Sequence, residues 1–412
     1  MGHKVKLDFL TTVSPKYARE IIDSYVTPLG FESLSIKSCL GRVLASDLIS
    51  PEDLPYFDRS LVDGYAMRSK DSQGASETNP LVLWKKGSVR VGELPKISVS
   101  EGECVYVSTG AYVPSGADSV IMQEFTREMG DVVEIMKPVY KGENIVRMGE
   151  DIKKGDIIFK KGKRITVHDI GIFAALGLTK IPVFKKPKVA IISTGDEIVS
   201  PDEKAGSGKI RDINGYLLDG LFTKLGGETV TPGIAKDEIE DVVNKLSLVK
   251  DCDIFCVSGG SSKGERDVIA KALEKSGGRI LFHGVNIRPG KPFLFGLIWD
   301  KPFFGLPGHP LSCLIVTYRF VVPFFLKVAG CSETSPKTLK GVLITNVPSS
   351  QGIEEYVNVR IIPKGREIFV EPIFAKSAVI SVLTFSCGYI VVDENREGYE
   401  KGEEVDVYFY ES

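Results

Sequence analysis

Asp253-Ile254-Phe255-Cys256-Val257-Ser258-Gly259-Gly260-Ser261-Ser262-Lys263-Gly264-Glu265-Arg266-Asp267 is the stretch that decides the fold. Asp253 to Ser258 is a short apolar run with no alternation, which suits a strand buried on both faces. Two glycines end it, a polar loop follows, and Asp267 opens a helical pattern to Lys275. Strand, glycine turn and helix make half of a crossover unit. The rhythm repeats on both sides, with strands predicted at Val189 to Ser193, Glu228 to Ile234 and Arg279 to Val285, and short ones near Phe293 to Leu297 and Phe303 to Phe304. Helices are predicted between and after them, at Asn214 to Leu225, Asp237 to Val249 and Pro310 to Val328. Residues 185–330 therefore read as an α/β domain on a parallel sheet covered on both faces.

Outward from this block the rhythm changes. A first helix is predicted from Ser14-Pro15, with Ala18, Ile21, Ile22 and Tyr25 along one face. A second, Thr166 to Leu178, carries a capping pattern before Ile170, Phe173, Ala174 and Leu176. The two are expected to join in a helical linker, residues 1–50 completed by 150–184. Between them, residues 51–149 hold short apolar runs at Leu81 to Trp84, Cys104 to Val107, Ser119 to Gln123 and Val132 to Met136, the pattern of an inserted small β domain. Past Gly330, strands at Val342 to Thr345, Tyr356 to Ile361, Ile368 to Pro372, Tyr389 to Val392 and Glu404 to Tyr408 predict a C-terminal β barrel or sandwich over residues 335–412. The expected fold class is multidomain, α/β plus β.

Composition sets limits. A chain of 412 residues exceeds one compact core and leaves room for a composite site. A net charge of -2 gives no basic field for nucleic acid. The N-terminus lacks the apolar core of a signal peptide, and the most apolar stretch, Phe320 to Ala329, is interrupted by Pro323 and Lys327, so no membrane span is expected. Seven cysteines without a CxxC pair fit a reducing, cytoplasmic compartment. Cys252 and Cys256 flank an apolar run and read as core. The four histidines have no zinc-ligand spacing.

Ligands of open α/β sheets gather beyond the carboxyl ends of the strands. Five polar loops are predicted there: Ser193-Thr194-Gly195-Asp196-Glu197, Lys236-Asp237, the Gly259-Gly260 loop, Arg288-Pro289-Gly290-Lys291-Pro292, and Gly305-Leu306-Pro307-Gly308-His309-Pro310-Leu311-Ser312. The glycine loop, ahead of a helix, suits a phosphate cradle, although it lacks P-loop spacing. Asp196, Glu197, Asp237 and Asp267 supply the oxygen ligands that Mg²⁺ prefers when it bridges phosphates. Arg288, Lys291 and the Ser312 hydroxyl suit a tetrahedral oxyanion. Each also has a structural reading, Asp237 and Asp267 as helix caps and Arg288 and Lys291 as solvated charges. A separate cluster, Phe57 to Ala66, packs Asp58, Arg59, Ser60 and Asp63 into a segment without periodicity, as open to being a turn as a site; Thr109-Gly110-Ala111 and Gly149-Glu150-Asp151 are equally open.

Together these segments resemble the molybdopterin molybdenumtransferase family, which includes the C-terminal half of gephyrin. The resemblance runs from about Thr12 to Tyr408 and rests on Asp58-Arg59-Ser60 through Ala66, Ser108 to Ala111, Arg147 to Asp151, Ser193 to Glu197, Gly259-Gly260, Arg288 to Pro292 and Gly305 to Pro310. It implies an elongated protomer with a molybdenum-cofactor-biosynthesis α/β domain. The implied activity is cleavage of adenylylated molybdopterin with a divalent cation, Mg²⁺, and insertion of metal from molybdate or tungstate into the dithiolene, with release of AMP. By position, Glu197, Asp237 and Asp267 match acidic residues tied to activity and metal. Arg288, Lys291 and Ser312 match the oxyanion pocket, with Arg360 and Ser377 beside it, and Gly259, Gly260, Ser261, Gly264, Pro307 and Pro310 match binding loops. Asp63, Thr109 and Asp151 match functional positions that act in trans in a homodimer. A transient contact with the adenylyltransferase that makes the substrate is also implied.

Departures from the pattern are His309 where asparagine is usual, Ser261, Lys263, Glu265 and Arg266 in the glycine loop, and Arg288 where lysine is common. Two alternatives remain: the adenylyltransferase itself, which shares the α/β motifs but lacks the flanking β domains, and a non-catalytic pterin-binding scaffold.

Overall fold

The computed structural model describes residues 12–206, 208–259, 267–374 and 378–410. The chain folds as two compact units, a larger one running to Ser46, through Lys161–Val167 and from Lys180 onward, and a smaller one of Asp47–Lys160 and His168–Thr179.

In the larger unit, helix α1 (Pro15–Ser24) starts where the sequence sets it: Ser14 Oγ accepts the Tyr17 N–H at 3.2 Å and Pro15 takes the first turn. Its Ala18 and Ile22 are buried with Val189 and Phe222, which are part of the α/β core. The second predicted helix, Val167–Ala175, sets Phe173 edge-on to Phe159 in the smaller unit. The apolar faces of the two helices are thus buried in different units.

Six strands form the sheet: β1 (Lys188–Thr194), β2 (Glu228–Val230), β3 (Ile254–Gly259), β4 (Arg279–His283), β5 (Leu294–Ile298) and β6 (Lys301–Leu306), in the order β2-β1-β3-β6-β5-β4. The expected parallel sheet needs one correction, because β5 is antiparallel to both of its neighbours. The cause is local. Trp299 and Asp300, at φ 50° and 60°, make a two-residue hairpin to β6, and a link that short can only return antiparallel.

Helices cover both faces. Helix α2 (Asn214–Lys224) joins α1 on one face, placing Leu218 and Phe222 in a core with Phe293, Phe295, Phe304 and Phe324. Helices α3 (Ile239–Leu248) and α4 (Val268–Lys275) cover the other, around Val257 and Phe255. Truncating one of these buried rings to alanine would cost about 3–5 kcal/mol. The Pro310 to Val328 helix is α5 (Pro310–Val316), a π turn (Thr317–Val321) and α6 (Val322–Val328). Pro323 has no N–H for the carbonyl four residues back, and the wider turn accommodates that gap. This helix is long and apolar enough to cross a membrane, but 72% of its most apolar window is buried in the protein core.

Beyond it, β7 (Thr338–Leu343), β8 (Glu354–Lys364), β9 (Glu367–Pro372), β10 (Gly388–Val392) and β11 (Glu404–Phe409) form a closed five-stranded barrel, in the order β8-β9-β7-β11-β10 with β10 returning to β8. The barrel alternative of the sequence reading is the one realised. A two-residue strand, Ile287–Arg288, adds to β8 in parallel.

The smaller unit carries a six-stranded sheet ordered Ser119–Met122, Gly64–Met67, Glu103–Val107, Leu81–Val89, Val132–Ile135, Thr126–Met129. Gly64 is required where two strands meet, since a Cβ there would lie 1.9 Å from the Ile121 carbonyl oxygen.

Candidate functional site

The strand order distributes the polar loops along the carboxyl edge of the sheet. At one end the loops leaving β1 and β2 are stitched together: Gly195 N–H donates to Ala235 O at 3.1 Å, Thr194 Oγ1 to Lys236 O at 3.1 Å, and Asp237 N–H to Asp196 Oδ1 at 3.1 Å. Asp196 and Glu197 are exposed, and Asp237 is partly so. Next comes Gly259, at φ 132°, where a Cβ would lie 2.0 Å from the Thr194 carbonyl oxygen, so only glycine lets β3 leave the sheet here. Gly260, Ser261 and Gly264 lie outside the described residues, as does Ser377.

Beneath this rim runs a buried polar layer that the sequence did not disclose. Ser193 Oγ donates to Asp212 Oδ1 at 2.9 Å, and Asp212 also accepts the Gly215 N–H at 2.9 Å. Asn214 Nδ2 donates to Ser258 Oγ at 2.6 Å and to Gly308 O at 2.9 Å. The segment that opens α2 is thereby tied to the ends of three strands. Pro307 is buried, Pro310 takes the first turn of α5, and Ser312 is 5% exposed. His309 occupies the N-cap position without a side-chain capping bond.

At the far end, the loop between β4 and β5 is closed by Val285 N–H to Lys291 O at 2.9 Å and Gly284 N–H to Phe293 O at 2.8 Å. Lys291 is exposed. Arg288 is half-exposed and faces Glu355 across the parallel pairing, Nη1 to Oε2 at 3.6 Å. Arg360 is engaged on the barrel wall, its guanidinium held by Glu371 on the neighbouring strand, with Nε donating at 2.8 Å.

Asp267 stands apart from the other carboxylates. It caps α4 by accepting the Ala270 N–H at 3.0 Å, and its second oxygen is 3.0 Å from His283 Nε2 at the end of β4. Both the capping role and the partner matter, and His283 was not among the sequence candidates. Among the described residues, no three of His, Cys, Asp and Glu gather as a metal cage. Glu197, Asp237 and Asp267 therefore share the edge without forming a ready-made site. This donor set still fits Mg²⁺, which takes one or two carboxylates and completes its shell with substrate phosphates and water.

The smaller unit brings three separate motifs together. Asp63 Oδ1 accepts the Thr109 N–H at 2.8 Å, Gly110 N–H donates to Ser60 O at 2.8 Å, and Ser60 N–H to Ala111 O at 2.9 Å. Asp58 accepts from Arg147 Nη1 and from Met148 N–H, both at 2.8 Å, and Asp151 N–H donates to Leu54 O at 3.1 Å. Phe57 stacks on Tyr112 with ring centroids 3.3 Å apart. Asp63, Thr109 and Asp151 are all exposed.

All seven cysteines are free thiols. Burial pushes the thiols of Cys252 and Cys256 up, and that of Cys313, under the Pro307–Ser312 loop, to about 12, so these sulfurs are packing groups.

Three family models match in succession: the MoeA N-terminal region (domain I and II) over residues 13–177, a probable molybdopterin binding domain over 190–327, and the MoeA C-terminal region (domain IV) over 340–410. The chain belongs to the MoeA family. A putative molybdopterin biosynthesis protein of Methanocaldococcus jannaschii is 39% identical over 387 residues, 92% of each chain. A molybdopterin molybdenumtransferase of Staphylococcus aureus is 32% identical over 385 residues, 92% of this chain and 91% of that one. Two solved structures of molybdopterin biosynthesis MoeA proteins from Pyrococcus horikoshii superpose with TM-scores of 0.86 and 0.85, at 36% and 33% identity, covering 98% and 97% of this chain and all of theirs. The buried polar layer and the His283–Asp267 pair thus belong to a MoeA-type α/β domain.

Proposed function

We propose that this chain is a molybdopterin molybdenumtransferase, a transferase that cleaves adenylylated molybdopterin and inserts metal from molybdate or tungstate, releasing AMP. The observation that carries this reading is the separation of charge along the sheet edge. Asp196, Glu197 and Asp237 follow β1 and β2, while Arg288 and Lys291 sit between β4 and β5. Three strand spacings from β1 to β5 amount to about 14 Å. That exceeds the Debye length of about 8 Å at physiological salt, so a dianion at the cations is shielded from Asp196, Glu197 and Asp237. The arrangement suits a long substrate gripped at both ends.

Glu197 and Asp237 would hold Mg²⁺ together with the substrate phosphates. Bound there, Mg²⁺ would supply charge neutralisation to the pyrophosphate. Asp267, oriented by His283, organises the phosphate end beside the glycine loop. Gly259 gives the backbone a close approach there, and Pro307 and Pro310 set the loop that presents Ser312. Arg288, Lys291 and Ser312 hold the oxyanion, and Arg360 contributes less because Glu371 already engages it. Asp63, Thr109 and Asp151 form a second surface, which we assign to the partner subunit's cleft in a homodimer. A cytoplasmic site of action accords with seven free thiols. Substrate would arrive from the adenylyltransferase by transient contact.

The test incubates purified protein with adenylated molybdopterin and Mg²⁺, adding molybdate or tungstate in parallel, and measures AMP release and metal retained. AMP release coupled to retained metal is expected, and the better oxyanion defines the natural substrate. Pterin binding without AMP release would leave a scaffold, and ATP-dependent adenylation of free molybdopterin would identify the adenylyltransferase instead.

A further inference from the structure

The loop that carries Arg288 and Lys291 is gripped from helix α1. Arg19 reaches Glu354, 335 positions away in the chain, through two hydrogen bonds of 3.1 and 3.2 Å. The Glu354 side chain is 8% exposed. Arg319, from the π turn, approaches the same carboxylate at 3.9 Å and lies over the rings of Tyr356 and Tyr408, while the Tyr356 hydroxyl donates to Glu354. A carboxylate between two guanidiniums is not a strong stabilising device, since apolar replacement of such clusters is often neutral or better. The best-attested use of buried charge is to fix register.

The register in question is that of β8 on the oxyanion loop. Glu354 begins β8, its N–H donates to Asn286 O at 3.0 Å, and the parallel pairing sets Glu354 against Ile287 and Glu355 against Arg288. On the other side, Asn286 N–H donates to Val13 O at 2.9 Å and Val13 N–H to Gly284 O at 3.0 Å. Val13 immediately precedes Ser14, the N-cap of α1. Helix α1 therefore holds the loop twice, by its lead-in backbone and, through Arg19 and Glu354, by its side chain. A slip of one residue in β8 would turn Glu355 to the opposite face and take its carboxylate from Arg288.

We propose that Arg19, Glu354 and Arg319 are positioning residues for the oxyanion loop, setting where Arg288 and Lys291 stand. The proposal rests on the reading that those two cations hold molybdate. In the full-length protein, Arg19→Gln, Arg19→Lys and Arg288→Ala are checked by thermal unfolding and then titrated separately with molybdate and with adenylated pterin. Arg19→Gln is expected to raise the molybdate needed for half-maximal insertion about tenfold, with kcat at saturating molybdate and pterin affinity within about twofold of wild type. Arg19→Lys keeps the charge but loses the planar fork and should fall between. Amide exchange at Val285, Asn286 and Glu354 should quicken in Arg19→Gln.

A folded Arg19→Gln protein with wild-type molybdate dependence or unchanged exchange at those amides overturns the proposal, as does equal weakening of both substrates. If Arg288→Ala raises the molybdate requirement in that case, the oxyanion assignment survives alone. If Arg288→Ala changes nothing either, the oxyanion assignment is itself wrong. Should Arg19→Gln fail to fold, Glu354→Gln carries the same comparison.

Discussion

The polar cluster of the smaller unit and the sheet edge of the larger one use their charges in opposite ways. In the smaller unit the charged residues of the motif are its own scaffold: Asp58 is engaged by Arg147 and the Met148 N–H, and Asp63 holds the Thr109 N–H. At the sheet edge the scaffold lies one layer down, in Ser193, Asp212, Asn214 and Ser258, and Asp196 and Glu197 are left exposed above it. A carboxylate wholly engaged by its own neighbourhood holds a loop, and one carried on a separate buried layer can meet a ligand. Prominence in a motif does not distinguish the two.

Asp267 is where that distinction can break, because both of its oxygens are engaged and yet it is assigned to the site. Asp267→Asn keeps a good N-cap, so the melting temperature should hold while AMP release falls at least about tenfold, or about 1.4 kcal/mol in barrier. Wild-type turnover in this variant would make Asp267 a cap and nothing more.

The pair in the smaller unit should separate next. Asp58→Ala removes two hydrogen bonds and should lower stability by about 1–2 kcal/mol in urea unfolding, whereas Asp63→Ala should cost about 1 kcal/mol or less and act mainly on turnover. Mixing inactive Asp63→Ala and Asp267→Ala subunits should restore activity after exchange, and a mixture that stays inactive would count against the homodimer. Smaller effects come from the cations: Lys291→Ala should raise the molybdate requirement about tenfold and Arg360→Ala about twofold or less, since only one of them is already paired. Least of all should happen at the buried thiols. A thiol near 12 is ionised in about one molecule in ten thousand at pH 8, so Cys313 should resist maleimide until the protein is unfolded. Rapid labelling of the native protein would mean that the layer under the edge opens.

Much of this was legible because it is local. Ser14-Pro15 sets the start of α1, and the strand–glycine–helix rhythm locates the sheet and the loops at its edge. Partners were not legible. Periodicity shows that α1 and the Thr166 to Leu178 helix each have an apolar face, but it does not show what each face meets. The antiparallel β5 turned on the tight Trp299-Asp300 hairpin, which carries no glycine to announce it. Asp212, Asn214 and His283 gave no signal because an inward-facing polar residue has no periodic signature, and Arg19 with Glu354 is invisible to any local window. The three acidic positions were expected together because strand ends share an edge, yet strand order and the His283 bond set Asp267 apart.

The helix Pro310 to Val328 has a consequence for synthesis. Its nineteen residues match a bilayer in length, and Arg319 is the central one. An arginine at that depth adds about 2.5–3.5 kcal/mol to insertion. While the ribosome has yet to make Glu354, that uncompensated charge works against the segment being taken for a membrane anchor. Once β8 has been translated, the carboxylate that completes the fold also takes over the charge, so one guanidinium serves the nascent chain first and the finished protein afterwards.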